Sequence, residues 1–172
     1  GESHTISPRH ASVFYALDRF DARSRMEKAL GSGIVLVADR YVLSNAGHQG
    51  AKISDPVERR AYLDWLHDFE HGILGAPRPD INIILTLDPV IAQRRVGQKP
   101  GRAYLGGVSG AKDIHEADPE HLANAQNSYR WIAEQHPKEH RTVDGCDTEG
   151  RELTPEEIHE RVWDVVRPVL TA

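Results

Sequence analysis

Five times in this chain a serine, threonine or aspartate stands directly before a proline: Ser7-Pro8, Asp55-Pro56, Asp88-Pro89, Asp118-Pro119 and Thr154-Pro155. Each pair puts a side-chain acceptor at a helix N-cap and, at the first helical position, a residue with no N–H to lose. Glu58 and Glu157 follow their caps by three residues, the spacing of a capping box. Helices are therefore predicted over Pro8 to Leu30 with a stop at Gly31, Pro56 to about Leu74, a short stretch after Pro89, Pro119 to about Gln135, and Pro155 to about Val169. The second should bury Val57, Leu66, Phe69 and Ile73, and the last Ile158, Val162, Val165 and Val169. Between the helices lie three strand candidates, Gly33–Ala38, Asp80–Leu87 and Arg141–Val143. A glycine-bounded apolar run such as Ile34 to Val37 suits a strand buried on both faces. Strands alternating with helices argue an α/β fold with a parallel sheet and crossover helices. There is no internal repeat and no domain linker in the sequence.

Composition narrows the function classes. A 19.2 kDa chain with 27% charged and 39% apolar residues suits one globular domain with a real core. A net charge of −5 argues against broad electrostatic binding of nucleic acid. Cys146 stands alone, so no internal disulfide forms, in keeping with a reducing, cytoplasmic setting. No run approaches the roughly 20 apolar residues that span a bilayer. The ten histidines show no compact ligand spacing, and even His67 and His71, four apart on one helix, read as surface residues. Trp65, Trp131 and Trp163 fall in helices and are expected in the core.

The chemistry concentrates after the first apolar run. Ile34 to Val37 ends in Asp39 and Arg40, and an amide-rich, small-residue segment follows with Ser44, Asn45, His48, Gln49 and Gly50. In open α/β sheets ligands bind just past the carboxyl ends of strands. An Asp-Arg pair there can turn its acid toward a metal ion and its guanidinium toward phosphate. Asn45 and Gln49 suit base recognition, because an amide offers a donor and an acceptor. Tyr15 and Arg19 are spaced to share one helical face. Arg95, Lys99, Arg102 and Lys112 bracket a glycine-rich stretch, Gly97 to Gly110, as a phosphate-covering lid requires.

Asp39-Arg40-Tyr41, Ser44, Asn45 and Gln49-Gly50-Ala51 resemble the DRY…S…QGA signature of thymidylate kinases. Further matches run in order from about Ile6 onward. They are Ser7-Pro8 with Tyr15, Asp18 and Arg19; Trp65-Leu66, Glu70 and Pro77-Arg78-Pro79-Asp80; Leu87-Asp88-Pro89 with Arg95; and Lys112-Asp113 through Glu116. The resemblance implies a phosphate-loop NTPase-like three-layer sandwich, with residues 1–172 forming one domain and 97–116 its lid region. It implies transfer of the γ-phosphoryl of MgATP to dTMP, giving dTDP, in a cytoplasmic homodimer. By the same resemblance Tyr15 stacks on thymine and Arg19 hydrogen-bonds it, while Ser44, Asn45, His48 and Gln49 complete the substrate site. Arg40 then holds the acceptor phosphate, Asp39 the Mg²⁺ water shell, Arg102 and Lys112 the migrating phosphoryl, and Arg95, Asp113 and Glu116 serve the lid and nucleotide. His48 stands where the family usually has tyrosine near the sugar, which loosens the expectation for deoxyribose. Asp18 is expected either to orient Arg19 or Arg40 or to touch ligand.

No Gly-x-x-x-x-Gly-Lys-Ser/Thr loop occurs in these 172 residues. In the family's sheet the strand before that loop would lie between Gly33–Ala38 and Asp80–Leu87. A gap there strands buried backbone groups at about 1–3 kcal/mol each. The expectation is therefore a natural polypeptide that is longer at its N-terminus, with this chain alone inactive on dTMP. The alternatives are a non-catalytic nucleotide-binding or dimerisation module, and a kinase for another nucleoside monophosphate.

Overall fold

The computed structural model describes residues 6–98 and 119–171. It divides into two compact units between Asp80 and Ile81. The first unit is helical. Helix α1 (Pro8–Gly31) starts where Ser7 Oγ accepts the His10 N–H at 3.3 Å. Helix α2 (Val42–Gly50) packs against α1, and helix α3 (Pro56–His67) packs against both. Asp55 caps α3, its Oδ1 accepting from Val57 and Glu58 N–H at 2.9 and 2.8 Å. Ala16 of α1, Val42 and Ala46 of α2, and Tyr62, Leu63 and Leu66 of α3 form the core.

The end of α3 departs from the sequence expectation. In place of a regular helix to Leu74, the chain widens into a π-helical turn over Asp68–Ile73. Leu74 N–H reaches back five residues to the Phe69 carbonyl at 2.9 Å, and Ala76 N–H reaches the Glu70 carbonyl at 2.8 Å. Gly75, at φ 67°, makes that reversal, and a Cβ there would meet the Arg23 guanidinium at 2.8 Å. The extra residue in the turn rotates the apolar stripe, and Ile73 is exposed. Of the other residues expected to be buried, Leu66 is, Phe69 is half-buried, and Val57, in the first turn of α3, is exposed.

In the second unit, β1 (Asn82–Thr86) and β2 (His140–Asp144) pair in parallel, with Asn82 opposite His140 and Thr86 opposite Asp144. Helices α5 (Pro119–Gln135) and α6 (Pro155–Leu170) cover β2, and α4 (Pro89–Gln98) packs on α5. Ile84, Ala125, Ile132, Val143 and Leu153 are its core. The cap of α6 is a complete capping box. Thr154 Oγ1 accepts from Glu157 N–H at 3.2 Å, and Glu157 Oε2 accepts from Thr154 N–H at 2.8 Å. Ile158, Val162, Val165 and Val169 are half-buried and none is fully enclosed. Trp163 is exposed rather than core, and Trp65 and Trp131 are half-buried.

The largest correction concerns Gly33–Ala38, which forms no strand. The segment is an unpaired coil with Ile34 to Leu36 exposed and Val37 94% exposed. A β-strand needs a neighbour to satisfy alternate N–H and C=O groups. Among the described residues none lies alongside this run, and the sheet holds β1 and β2 only.

Candidate functional site

The segment that carries Asn45 and Gln49 is the short helix α2, not an open loop. Arg40 stands just before it at φ 71°, the one non-glycine residue in the left-handed region among those described. A bulky residue held there is strained, and such strain concentrates at binding sites. Asp39 and Arg40 are both exposed. Tyr41, next in the chain, turns inward, and its hydroxyl donates to the Pro77 carbonyl at 3.0 Å. Burial raises the Tyr41 phenol above its ordinary pKa. The Arg19 guanidinium carbon lies 6.0 Å from the centre of its ring.

A buried polar network joins the three helices of the first unit. Glu70, from the π-helical turn, is 0% exposed and forms a two-pronged ion pair with Arg19 of α1. Arg19 Nε donates to Oε2, and Nη2 donates to Oε1 at 2.5 Å. Asn45 Nδ2 of α2 donates to the same Oε1 and to the Ser12 carbonyl, each at 3.2 Å. The Tyr62 hydroxyl of α3 lies 2.8 Å from Ser12 Oγ and 3.4 Å from the Asn45 carbonyl. Burial raises the Tyr62 phenol well above its ordinary range, so it stays protonated. Two acceptors are left over. Asn45 Oδ1 and Gln49 Oε1 are buried, in residues 5% and 7% exposed, with no hydrogen-bond partner among the described residues. A buried oxygen without a donor costs about 1–3 kcal/mol, and it is where a ligand donor is welcome.

The structure thus brings Arg19 and Asn45 together through one carboxylate, and Gln49 follows Asn45 by four residues on α2. Tyr15 sits one turn before Arg19 on α1 and is exposed. Ser44 and His48 are half-buried on α2. The partner of Arg19 is Glu70, not the exposed Asp18. Arg95 is taken up by Glu152, at 2.5 Å from Oε1, with Arg94 on the other oxygen. The Arg95 hydrogen bond holds the Glu152 carboxyl below its usual range. Arg102, Lys112, Asp113 and Glu116, with residues 99–116 of the predicted lid region, lie outside the described residues. No group of three or more potential metal ligands occurs among the described residues. A surface cleft lined by Ser7, Arg9, Ile53 and Glu58 holds none of the predicted site residues.

Sequence reasoning did not single out Glu70, Ser12 or Tyr62 as parts of a site. Glu70 entered only as a matched position of the resemblance, with no role attached, and its physical signal is that carboxylates are almost never fully buried unless paired.

The sequence model of the family described as thymidylate kinase matches residues 2–144. A thymidylate kinase of Nitratidesulfovibrio vulgaris is 30% identical over 171 residues, covering 97% of this chain and 72% of that protein. One from Synechococcus sp. is 29% identical over 168 residues, covering 96% of this chain and 68% of that protein. A third, from Mycobacterium tuberculosis, is 28% identical over 128 residues, covering 72% of this chain and 56% of its own length. A solved thymidylate kinase structure from Candida albicans matches 95% of this chain and 68% of its own, with a TM-score of 0.67 at 19% identity. That likeness carries the fold, an α/β phosphate-loop NTPase architecture.

Proposed function

The chain belongs to the thymidylate kinase family, and from that membership we propose that it supplies the acceptor site of a nucleoside monophosphate kinase that phosphorylates dTMP. The observation that carries this reading is the pair of buried amide oxygens on α2, Asn45 Oδ1 and Gln49 Oε1, left without a donor. They lie on the helix that Asp39 and Arg40 lead into, and Asn45 shares a carboxylate with Arg19. A pyrimidine that brings an N–H and a carbonyl would satisfy Asn45 and Arg19 at once. Tyr15, exposed one turn before Arg19, has the flat face on which a base would stack.

Arg40 is the residue to hold the 5′-phosphate, its exposed guanidinium presented by a fixed left-handed backbone. Phosphoryl transfer is mostly positioning and charge neutralisation, so such a fixed cation matters more than a proton shuttle. ATP would be the donor, with Asp39 the residue to hold a Mg²⁺ ion that would supply charge neutralisation at the phosphates. Magnesium keeps several waters and takes one or two carboxylates with the phosphates, so a lone Asp39 is a fitting protein contact. The homodimer and the cytoplasmic setting are parts of the same proposal. Phe14, Leu17 and Phe20 leave an exposed apolar strip on α1 that suits an interface. No helix among the described residues is long and apolar enough to cross a membrane.

Calorimetry and thermal shift of this chain with dTMP, dUMP, dCMP and dAMP test the reading. Binding and protection by dTMP, and more weakly by dUMP, are expected. Arg40→Ala should weaken dTMP binding by about 2–5 kcal/mol, since the phosphate loses a charge-assisted partner. Lys52→Ala serves as the control and should change little. Equal small losses in both variants, or protection by dCMP equal to that by dTMP, would overturn the assignment.

A further inference from the structure

Glu70 makes no contact that a substrate needs, yet two residues of the proposed base site hang on it. It is 0% exposed, and each of its oxygens is an acceptor only. Arg19 uses Nε and Nη2 on it, which leaves Nη1 as the guanidinium nitrogen without a bond among the described residues. Asn45 has both Nδ2 hydrogens engaged, one by Glu70 Oε1 and one by the Ser12 carbonyl. That pattern decides the orientation of the amide. Turning it over would place Oδ1 against two acceptors, a carboxylate and a carbonyl. The nitrogen therefore faces Glu70, and the oxygen is the end left for a ligand.

Resting on the acceptor-site reading above, we propose that Glu70 is the positioning residue that sets the hydrogen-bond polarity of the base pocket. Through one carboxylate it makes Asn45 present an acceptor and Arg19 present a donor. This acceptor-and-donor pair complements the N3–H and O4 of thymine or uracil. Cytosine offers the reverse, a lone pair at N3 and an amine at C4, and it meets a mismatch at both positions. Selectivity for the base is thus written in a group that never touches it.

The substitution Glu70→Gln keeps the shape but puts an N–H donor at one oxygen position, facing Arg19 Nε at Oε2 or both Arg19 Nη2 and Asn45 Nδ2 at Oε1. Arg19 loses a prong in either orientation, so its donor is no longer fixed, and in the second Asn45 is free to turn its nitrogen outward. Binding of dTMP and dCMP to wild type, E70Q and E70D, followed by calorimetry, tests this. Sites built to pair polar groups reject mismatched analogues by large factors, so wild type should prefer dTMP by about 100-fold or more, and E70Q should lose at least about tenfold of that ratio. Glu70→Asp keeps an acceptor-only carboxylate and should hold the ratio within about threefold while binding both nucleotides more weakly. An E70Q variant that binds both nucleotides more weakly at an unchanged ratio makes Glu70 a structural counter-ion and overturns the proposal. If E70Q does not fold, NMR of the Asn45 side-chain amide in wild type decides. Both Nδ2 protons should exchange slowly and stay unmoved on dTMP addition, because neither is offered to the base. Large dTMP-dependent shifts of those protons overturn the proposal. Wild type that binds no dTMP removes the acceptor-site reading and this inference with it, whereas dTMP binding with an unaltered E70Q ratio removes only the inference.

Discussion

The two units each hold a two-pronged arginine–carboxylate pairing, and the two could hardly differ more in setting. In the first, Arg19 grips Glu70 inside the helical core, with side chains 14% and 0% exposed. In the second, Arg151 reaches Asp147 at 2.8 Å and Glu157 at 2.9 Å, but its own side chain is 56% exposed. The chemistry is the same, and only the solvent differs. Around Arg151 water competes for every donor and salt screens every charge, so the geometry reports little about stability. The Glu70 side chain is shut off from bulk solvent, so a lost bond is not readily replaced. The buried pair therefore matters most when one partner is removed, since the other charge remains enclosed and uncompensated.

The sharpest way to break this comparison is Glu70→Ala. It should destabilise the first unit by about 3–5 kcal/mol, the range for orphaning a buried charge. Urea denaturation showing a loss of less than about 1 kcal/mol would place the Arg19 pair with surface ion pairs instead.

Acid titration sharpens it within the second unit. His140 is buried, neither ring nitrogen has a hydrogen-bond partner among the described residues, and burial lowers its pKa from 6.5. The unfolded chain then binds the proton more readily than the folded one. Stability should be full above about pH 6.5 and decline on acidification, by no more than about 1.4 kcal/mol per pH unit, until the folded imidazole also titrates. His140→Gln should flatten that slope in thermal melts run between pH 7 and 5.

The cap of α6 comes next. Thr154→Ala removes one bond of the capping box and should cost about 1 kcal/mol, read from the urea midpoint.

The smallest effect belongs to Arg151→Ala, which should be indistinguishable from wild type at physiological salt and differ only at low ionic strength. Its trace is in acid. The Arg151 hydrogen bond holds the Glu157 carboxyl down to about 2 against its ordinary 4.5. Whatever this bond contributes is present above pH 4.5 and fades as pH falls through about 2. The variant should weaken that acid dependence, leaving the part held by the Thr154 N–H, as measured by the helical signal of α6.

Two apolar runs of similar appearance show where sequence reading works and where it stops. Asp80–Leu87 was legible as a strand, and its centre, Asn82–Thr86, pairs along its whole length with His140–Asp144. Gly33–Ala38 carries the same β-branched signal and lies unpaired and exposed. Propensity describes one segment, whereas a ladder requires a second. The opposite error occurred at α2. Gly47, Gly50, Ser44 and Asn45 are poor helix formers, so nothing local announced a helix there. Packing against α1 and α3 imposes it, with Val42 and Ala46 as its buried contacts. The π-helical turn escaped notice for the same reason, since Gly75 marks the stop but not the widening before it.

The candidate residues show the same division. Asp39, Arg40, Asn45 and Gln49 stand out by type and spacing, and Tyr15 and Arg19 by their shared helical face. What Arg19 and Asn45 hold onto could not be read, because Glu70 lies 51 residues from one and 25 from the other. Spacing along a helix is a local quantity, but contact across three helices is not.

By itself the sequence determined where the proline-led helices begin, because a cap and its proline act within a single turn, and it determined the chemical kinds gathered after Asp39. Only the tertiary structure decided that Gly33–Ala38 has no strand partner among the described residues, that α2 is a helix, and that Asn45 keeps its nitrogen on Glu70 and its oxygen without a donor. Each of those depends on a neighbour far along the chain and on the exclusion of water, and neither is a property of any local stretch of residues.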